Sequence, residues 1–193
     1  MDIILNQLKK QDVLMEGPDK VVLRSLKKKD LGQIKKWLED RELIELGFGV
    51  QADEKSLEKI ALSYYQKLQT HNEFFLGIED RENFLIGFAR FLPVSDTLAR
   101  IGIMIGEKSY WSKGYGTEAM ELLLKFLFEV LRFEKVELDT ADFNQRAQRC
   151  FEKVGFKRIG ESSDVDLHEG SFSHKLYMEL TREDYLKEKL TQS

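Results

Sequence analysis

Nine residues, Trp111-Ser112-Lys113-Gly114-Tyr115-Gly116-Thr117-Glu118-Ala119, have the types and order of an anion-binding turn. An apolar run, Arg100-Ile101-Gly102-Ile103-Met104-Ile105, precedes them and is short enough for a buried strand. Met120-Glu121-Leu122-Leu123-Leu124-Lys125-Phe126-Leu127-Phe128 follows, with apolar residues at helical spacing. A strand, a glycine turn and a helix start bring free amide N–H groups and the positive end of a helix dipole to one point, where a phosphate is held. Gly114 and Gly116 allow positive φ and close approach, because no Cβ stands in the way. The chain is read as binding a phosphorylated cofactor.

Two cofactor classes can be weighed on the residues alone. The ATP or GTP phosphate loop requires Lys and then Ser or Thr directly after its last glycine. Thr117 and Glu118 follow Gly116 here, which excludes it. The dinucleotide fingerprint matches Gly114-x-Gly116-x-x-Ala119, and Asp139 lies about where a ribose-binding acid belongs. Against it, residues 106–113 separate the strand from the glycines, and the fingerprint normally opens its domain, whereas here about half of the chain comes first.

The elements that must position this turn are legible from periodicity. Residues 3–14 suggest a short helix that Gly17-Pro18 ends, and 21–26 a strand. Asp30 is placed as the cap of a helix running to about Asp40, with Leu31, Ile34, Trp37 and Leu38 on one face. Asp53 is placed as the cap of a second helix, with Leu57, Ile60, Ala61, Tyr64 and Leu68 at helical spacing; residues 46–50 read as a loop between the two. Residues 74–79 and 84–91 form a hairpin over Asp80-Arg81-Glu82-Asn83, and 98–105 is the next antiparallel partner. After the turn come a helix to Leu131, a strand over 135–140, a helix over 144–154, a strand from Phe156, a last strand over 171–180, and a tail helix that Thr181 caps. This pattern is a single α/β domain, a mixed and mostly antiparallel sheet with helices on both faces. Residues 1–20 are read as an N-terminal extension, 21–180 as the domain and 181–193 as the tail.

Composition narrows the class further. The 193 residues carry a formal net charge of −4 with both signs scattered, which argues against nucleic acid as a partner. No run of about 18 apolar residues exists, and the N-terminus lacks a basic start followed by an apolar core, so neither a membrane span nor a signal peptide is expected. The single cysteine, Cys150, suits a reducing compartment, and cytoplasm is the expected location. No His, Cys or Asp cluster has metal-ligand spacing, so no metal is expected; His168 and His174 read as surface or core residues. Monomer and homodimer are both compatible with the chain.

The turn, taken together with Asn144-Gln145-Arg146-Ala147-Gln148-Arg149-Cys150-Phe151-Glu152-Lys153-Val154-Gly155-Phe156, resembles the GCN5-related N-acetyltransferases (GNAT family). In that family an Arg/Gln-x-x-Gly-x-Gly/Ala loop holds the pyrophosphate of acetyl-CoA, and an Asn-x-x-Ala/Ser…Tyr-x-Lys-x-Gly-Phe helix flanks the pantetheine arm. The resemblance is best over 84–160 and extends over 21–180. Tyr-Trp-x-Lys-Gly-Tyr-Gly-Thr-Glu-Ala is most similar to the ribosomal-protein N-terminal acetyltransferase branch, and Asn-x-Arg-Ala-x-Arg-Cys-Phe-Glu-Lys is also similar to the aminoglycoside N-acetyltransferases. The resemblance implies acetyl transfer from acetyl-CoA to a primary amine of a small molecule or peptide, a protein N-terminus being slightly favoured over a polyamine or aminoglycoside. The alternative is a catalytically weak acyl-CoA-binding sensor or interaction module.

The resemblance also implies roles. Lys113, Gly114, Tyr115, Gly116 and Thr117 would offer amides to the pyrophosphate. Ile103, Met104 and Ile105 would lie on a strand that splays from its neighbour and hydrogen-bonds the pantetheine like an added strand. Asn144 would serve as N-cap and as an amide donor to the cofactor, and Lys153 would approach the phosphates. The first loop position, usually Arg or Gln, is Trp111, which removes any side-chain contact there. An alkylammonium of pKa near 10.4 costs about 4–5 kcal/mol to deprotonate at pH 7, and an α-amine near 8 about 1–2. Asp139 is the expected proton acceptor, with Glu107 second and Asp142 third. The Tyr that protonates the leaving thiolate in the family is Phe151 here, which has no proton to give.

Overall fold

Short, largely buried apolar runs build one continuous sheet. The computed structural model describes residues 12–48, 50–51, 54–69, 73–166 and 171–191. Along them run strands β1 (Leu14–Glu16), β2 (Val21–Ser25), β3 (Val50–Gln51), β4 (Phe74–Asp80), β5 (Leu85–Pro93), β6 (Leu98–Ile105), β7 (Lys135–Ala141), β8 (Lys157–Asp166) and β9 (Ser171–Thr181). Helices α1 (Leu31–Glu39), α2 (Arg41–Phe48) and α3 (Glu54–Gln69) precede β4, α4 (Tyr115–Lys125) joins β6 to β7, α5 (Gln145–Lys153) joins β7 to β8, and α6 (Arg182–Thr191) follows β9. The sheet order is β1-β2-β4-β5-β6-β7-β9, with β8 on the far edge of β9; the short β3 pairs with residues 172 and 173 of β9, past the end of β7. Every pairing is antiparallel except β6 with β7, which α4 connects as a β-α-β crossover.

The two faces bury different helices. On one, Leu23, Ile78, Phe91, Ile101 and Leu138 pack against Met120, Leu123 and Leu127 of the α4 region and Phe151 of α5. On the other, Phe88 and Met104 meet Ile34, Trp37 and Leu38 of α1 and Leu43 and Ile44 of α2. Ile34, Trp37 and Leu38 recur at i, i+3 and i+4, which is why α1 buries that stripe. The last turn of the α4 segment, Phe126–Val130, is π-helical, and Phe128 there packs on Tyr185 of α6, ring centroids 5.0 Å apart.

Three local expectations are corrected. Residues 46–48 belong to helix α2 rather than a loop; Arg41 and Glu45, an i,i+4 pair at 2.8 Å, support its first turns. Leu14, placed in a helix by its spacing, starts β1, which pairs with β2. Asp30 does not cap α1: its carboxylate takes the Lys27 N–H at 2.7 Å and the two terminal guanidinium nitrogens of Arg24, at 2.6 and 3.1 Å. Residues 12 and 13 of the expected N-terminal helix are not helical, and residues 3–11 of it, the Asp53 cap and the side chains of Leu57, Ile60, Tyr64 and Leu68 lie outside the described residues. At the other end, Thr181 caps α6 as expected, its hydroxyl accepting the Asp184 N–H at 3.2 Å.

Arg24 also meets Glu79 of β4 at 2.6 Å, so a buried three-charge group ties β2, β4 and the start of α1 together. Removing one member strands the others without solvent. Asp30→Ala is expected to cost about 3–5 kcal/mol in urea unfolding. Burial pushes the Asp30 carboxyl up, but the hydrogen bonds from Arg24 and Lys27 outweigh it, and the net shift is downward. A depressed folded-state pKa contributes stability that is complete above the ordinary carboxylate range, about pH 4, and is lost as pH falls through the folded value. Melting temperature should therefore fall on acidification below that range, and fall less in Asp30→Ala.

Candidate active site

The site originates in a pairing that stops early. β6 and β7 are in register at Leu98–Lys135, Ala99–Val136 and Arg100–Glu137, and no further. Beyond that point each strand is held on its outer side alone, β6 by β5 as far as Ile105 and β7 by β9 as far as Ala141. The two lean apart, and the β7-facing edge of β6 from Ile101 onward has no strand partner. The gap is a cleft of about 450 Å³, with Ile103, Met104 and Ile105 on one wall and Asn144, Cys150 and Phe151 on the other.

At one end of the cleft stands the N-terminus of α4. Gly114 is its N-cap residue with φ of +88°, a left-handed conformation that favours glycine. The first intrahelical bond runs from the Glu118 N–H to the Gly114 carbonyl at 3.0 Å, so the amides of Tyr115, Gly116 and Thr117 precede any intrahelical acceptor. A Cβ on Gly116 would meet Ile105 Cγ1 at 3.6 Å and Cys150 Sγ at 3.9 Å, ordinary contacts. The absent side chain thus keeps the cleft open rather than relieving a clash.

Glu118 fixes this helix end. Its Oε1 accepts the backbone N–H groups of Lys20, Asp19 and Val21 at 2.8, 3.0 and 3.2 Å, binding α4 to the β1–β2 turn. Burial pushes this carboxyl up, and the three amides with the Lys20 charge bring it below the usual range. The Lys20 side chain in turn lies over Gly114, its Cε 3.7 Å from where a Cβ would stand.

The charge of the cleft is one-sided. Arg146, Arg149 and Lys153 of α5 line it, and no carboxylate does among the described residues, although the whole chain carries −4. These cations recur at i, i+3 and i+7 on one helix face, a spacing that is present in the sequence. Asn144 caps α5 through the Ala147 N–H at 3.1 Å, while its amide donates to the Leu46 carbonyl at the end of α2, 3.0 Å away. Phe151 is buried and packs edge-on against Phe156. The Cys150 thiol, 3.6 Å from the Thr117 hydroxyl, is pushed up by burial and is not a ready nucleophile.

Of the expected residues, Ile103, Met104, Ile105, Gly114, Gly116, Thr117, Asn144, Phe151 and Lys153 share the cleft. Lys113 and Tyr115 flank it; the Tyr115 ring turns to Tyr110, 4.9 Å away. Asp139 is on β7, two residues past the last β6 pairing, with Lys175 Nζ 3.2 Å from Oδ2. Glu107 points at α1, where its Oε1 accepts from Gln33 Nε2 at 2.9 Å and Trp37 Nε1 at 3.1 Å. His174 Nδ1 lies 2.6 Å from Ser163 Oγ and 3.9 Å from Asp142 Oδ2, while His168 is outside the described residues. Among the described residues, no three His, Cys, Asp or Glu side chains form a metal ligand set, and no helix is long and apolar enough to cross a membrane.

A family model described as an acetyltransferase (GNAT) domain matches residues 20–157. The chain belongs to that family: it is an N-acetyltransferase, and acetyl-CoA is its acetyl donor. Aminoglycoside N(6')-acetyltransferase type 1 of Klebsiella pneumoniae is 25% identical over 169 residues, covering 81% of this chain and 84% of the relative. The fold is shared with spermidine N-acetyltransferase from Vibrio cholerae, solved with CoA and spermine, at a TM-score of 0.70 and 21% identity over 86% of this chain and 98% of that one. It is shared likewise with an aminoglycoside acetyltransferase solved with coenzyme A, at a TM-score of 0.67 and 24% identity over 86% and 98%. An open strand edge, unbonded helix amides and a lining whose charged side chains are all cationic fit an elongated ligand with phosphates at one end.

Gly116→Trp should abolish CoA binding in calorimetry while leaving the circular dichroism spectrum intact. The indole would occupy the space between Ile105 and Cys150, and a variant that binds CoA normally would displace the assigned loop.

Proposed function

We propose that the cleft holds acetyl-CoA along β6 and that Asp139 receives the proton of the attacking amine. The observation that carries this reading is the early end of the β6–β7 pairing, which leaves an open strand edge beside an uncapped helix start. In this reading the amides of residues 113–117 hold the pyrophosphate with Arg149 and Lys153, and the backbone of Ile103, Met104 and Ile105 bonds the pantetheine arm. Bound there, acetyl-CoA supplies a thioester carbonyl as electrophile.

The chain's own groups do the remaining work. Asp139 stands on β7 two residues past the last β6 pairing, outside the cleft's own lining, and the Lys175 ammonium 3.2 Å from its Oδ2 marks where a substrate alkylammonium would be held. A carboxylate there orients the ammonium and takes its proton, directly or through a water, a contribution of about 10²–10⁴ in rate. Glu107 is assigned an anchoring role, because its Oε1 holds two donors of α1. Phe151 supplies no proton, so the departing thiolate, with a thiol pKa of about 8.5, is left to solvent.

For the amine, the names of the relatives support a small polycationic molecule, aminoglycoside-like or polyamine-like. A protein N-terminal α-amine is the second reading, supported by the sequence of residues 110–119. Free-thiol release from acetyl-CoA, screened over aminoglycosides, polyamines and peptides, tests both. Turnover confined to peptides would reverse the order, and no turnover with any amine would remove the reading. Asp139→Asn should lower kcat/KM for the amine by about 10²-fold or more. Wild-type turnover in that variant would take Asp139 out of the mechanism.

A further inference from the structure

We propose that Trp111 is a positioning residue that holds the Arg146 guanidinium at the phosphate loop, so that the loop's side-chain cation is delivered from helix α5. The inference rests on the cleft being the acetyl-CoA site. Trp111 opens the loop, and its own donor is engaged: Nε1 gives its hydrogen to the Ile105 carbonyl on β6, 2.7 Å away. That bond, together with packing against the α1–α2 side of the core, fixes the plane of the indole. Arg146 Cζ stands 3.5 Å from the centroid of the indole ring, a face contact between a planar cation and the ring's negative face.

The surroundings decide what this cation is for. Among the described residues, no carboxylate forms an ion pair with Arg146. Glu42, the acid that acts on it at longer range, is bound to Lys108 Nζ at 2.7 Å. Lys108, the other cation near the same ring at 5.9 Å, is thereby neutralised by Glu42 and Asp40, whereas Arg146 is not. Arg149 is a like charge one turn away and lowers the Arg146 pKa, as burial does more strongly; an arginine nevertheless stays charged. A guanidinium lying flat on an indole presents its N–H donors around its rim. Here that rim borders a cleft that contains no acid among the described residues. Such a fork matches two phosphate oxygens at once. The indole contributes no hydrogen bond to the ligand; it contributes the location of the fork.

The test separates phosphate recognition from general damage by comparing acetyl-CoA with S-acetylpantetheine, which has the same thioester and no phosphate. Arg146→Ala should lower kcat/KM for acetyl-CoA by about ten- to a hundredfold and leave that for S-acetylpantetheine within about twofold. Trp111→Leu should reproduce much of the loss, and Trp111→Phe, which keeps a ring face, less of it. The double variant Arg146→Ala/Trp111→Leu should be little worse than Arg146→Ala, because the two act as one unit. Placing the cation directly on the loop, in Arg146→Ala/Trp111→Arg, should restore part of the preference for acetyl-CoA. Additive losses, equal losses with both donors, or tighter acetyl-CoA use in Arg146→Ala would overturn the proposal. Melting curves show which variants fold, and the Arg146 variants stand if Trp111→Leu does not. A wild-type protein that fails to bind CoA would instead remove the site reading on which the inference rests.

Discussion

Two strands that begin as parallel neighbours and then part leave backbone N–H and C=O groups that a sheet would otherwise pair. Here β6 and β7 share three register pairs and then follow different partners, β5 and β9. The resulting cleft is held open by pairing on both outer edges, so it does not close by collapse of the sheet. In the proposed function an extended ligand arm completes what β7 leaves undone. The rest of the site follows from where that gap ends, because α4 must start beside the tip of β6 and α5 beside the tip of β7.

Buried polar contacts set the position of those two helix starts. Glu118 ties α4 to the β1–β2 turn through three backbone amides, and Asn144 ties α5 to the end of α2 through the Leu46 carbonyl. Glu107 does the same for α1 through Gln33 and Trp37. Glu118 and Asn144 meet backbone groups beside the ends of elements, where such groups are otherwise unmet, and Glu107 holds two side-chain donors of α1. Such contacts transmit the placement of the sheet to the cleft. They also explain why short-range polar residues near a glycine loop act in architecture as much as in chemistry.

Much of this was legible in the sequence, and for physical reasons. The glycine turn between a six-residue apolar run and an apolar helix face allowed little but a strand-turn-helix, and 98–105 is strand β6 as read. What pairwise spacing does not encode is which long-range partner a polar side chain finds. Asp30 reads as a cap because aspartate before a helix usually is one, yet its partner is Arg24, six residues back, in a buried group closed by Glu79. Residues 46–48 read as loop because Gly47 and Gly49 punctuate them, while the run before them is helical and buries Leu43 and Ile44. Trp111 reads as the loss of a loop cation; the stacked Arg146, thirty-five residues on in the same chain, shows only when α5 is folded against the loop.

The central claim is that the open edge of β6 and the start of α4 are where CoA lies. Amide hydrogen exchange with and without CoA measures this directly, residue by residue. The account predicts slowed exchange at residues 103–105 and 113–117, with the cavity of about 610 Å³ among α1, α2 and α3 unaffected. Protection confined to that helical cavity, or none at the β6 edge while CoA is bound, would contradict it.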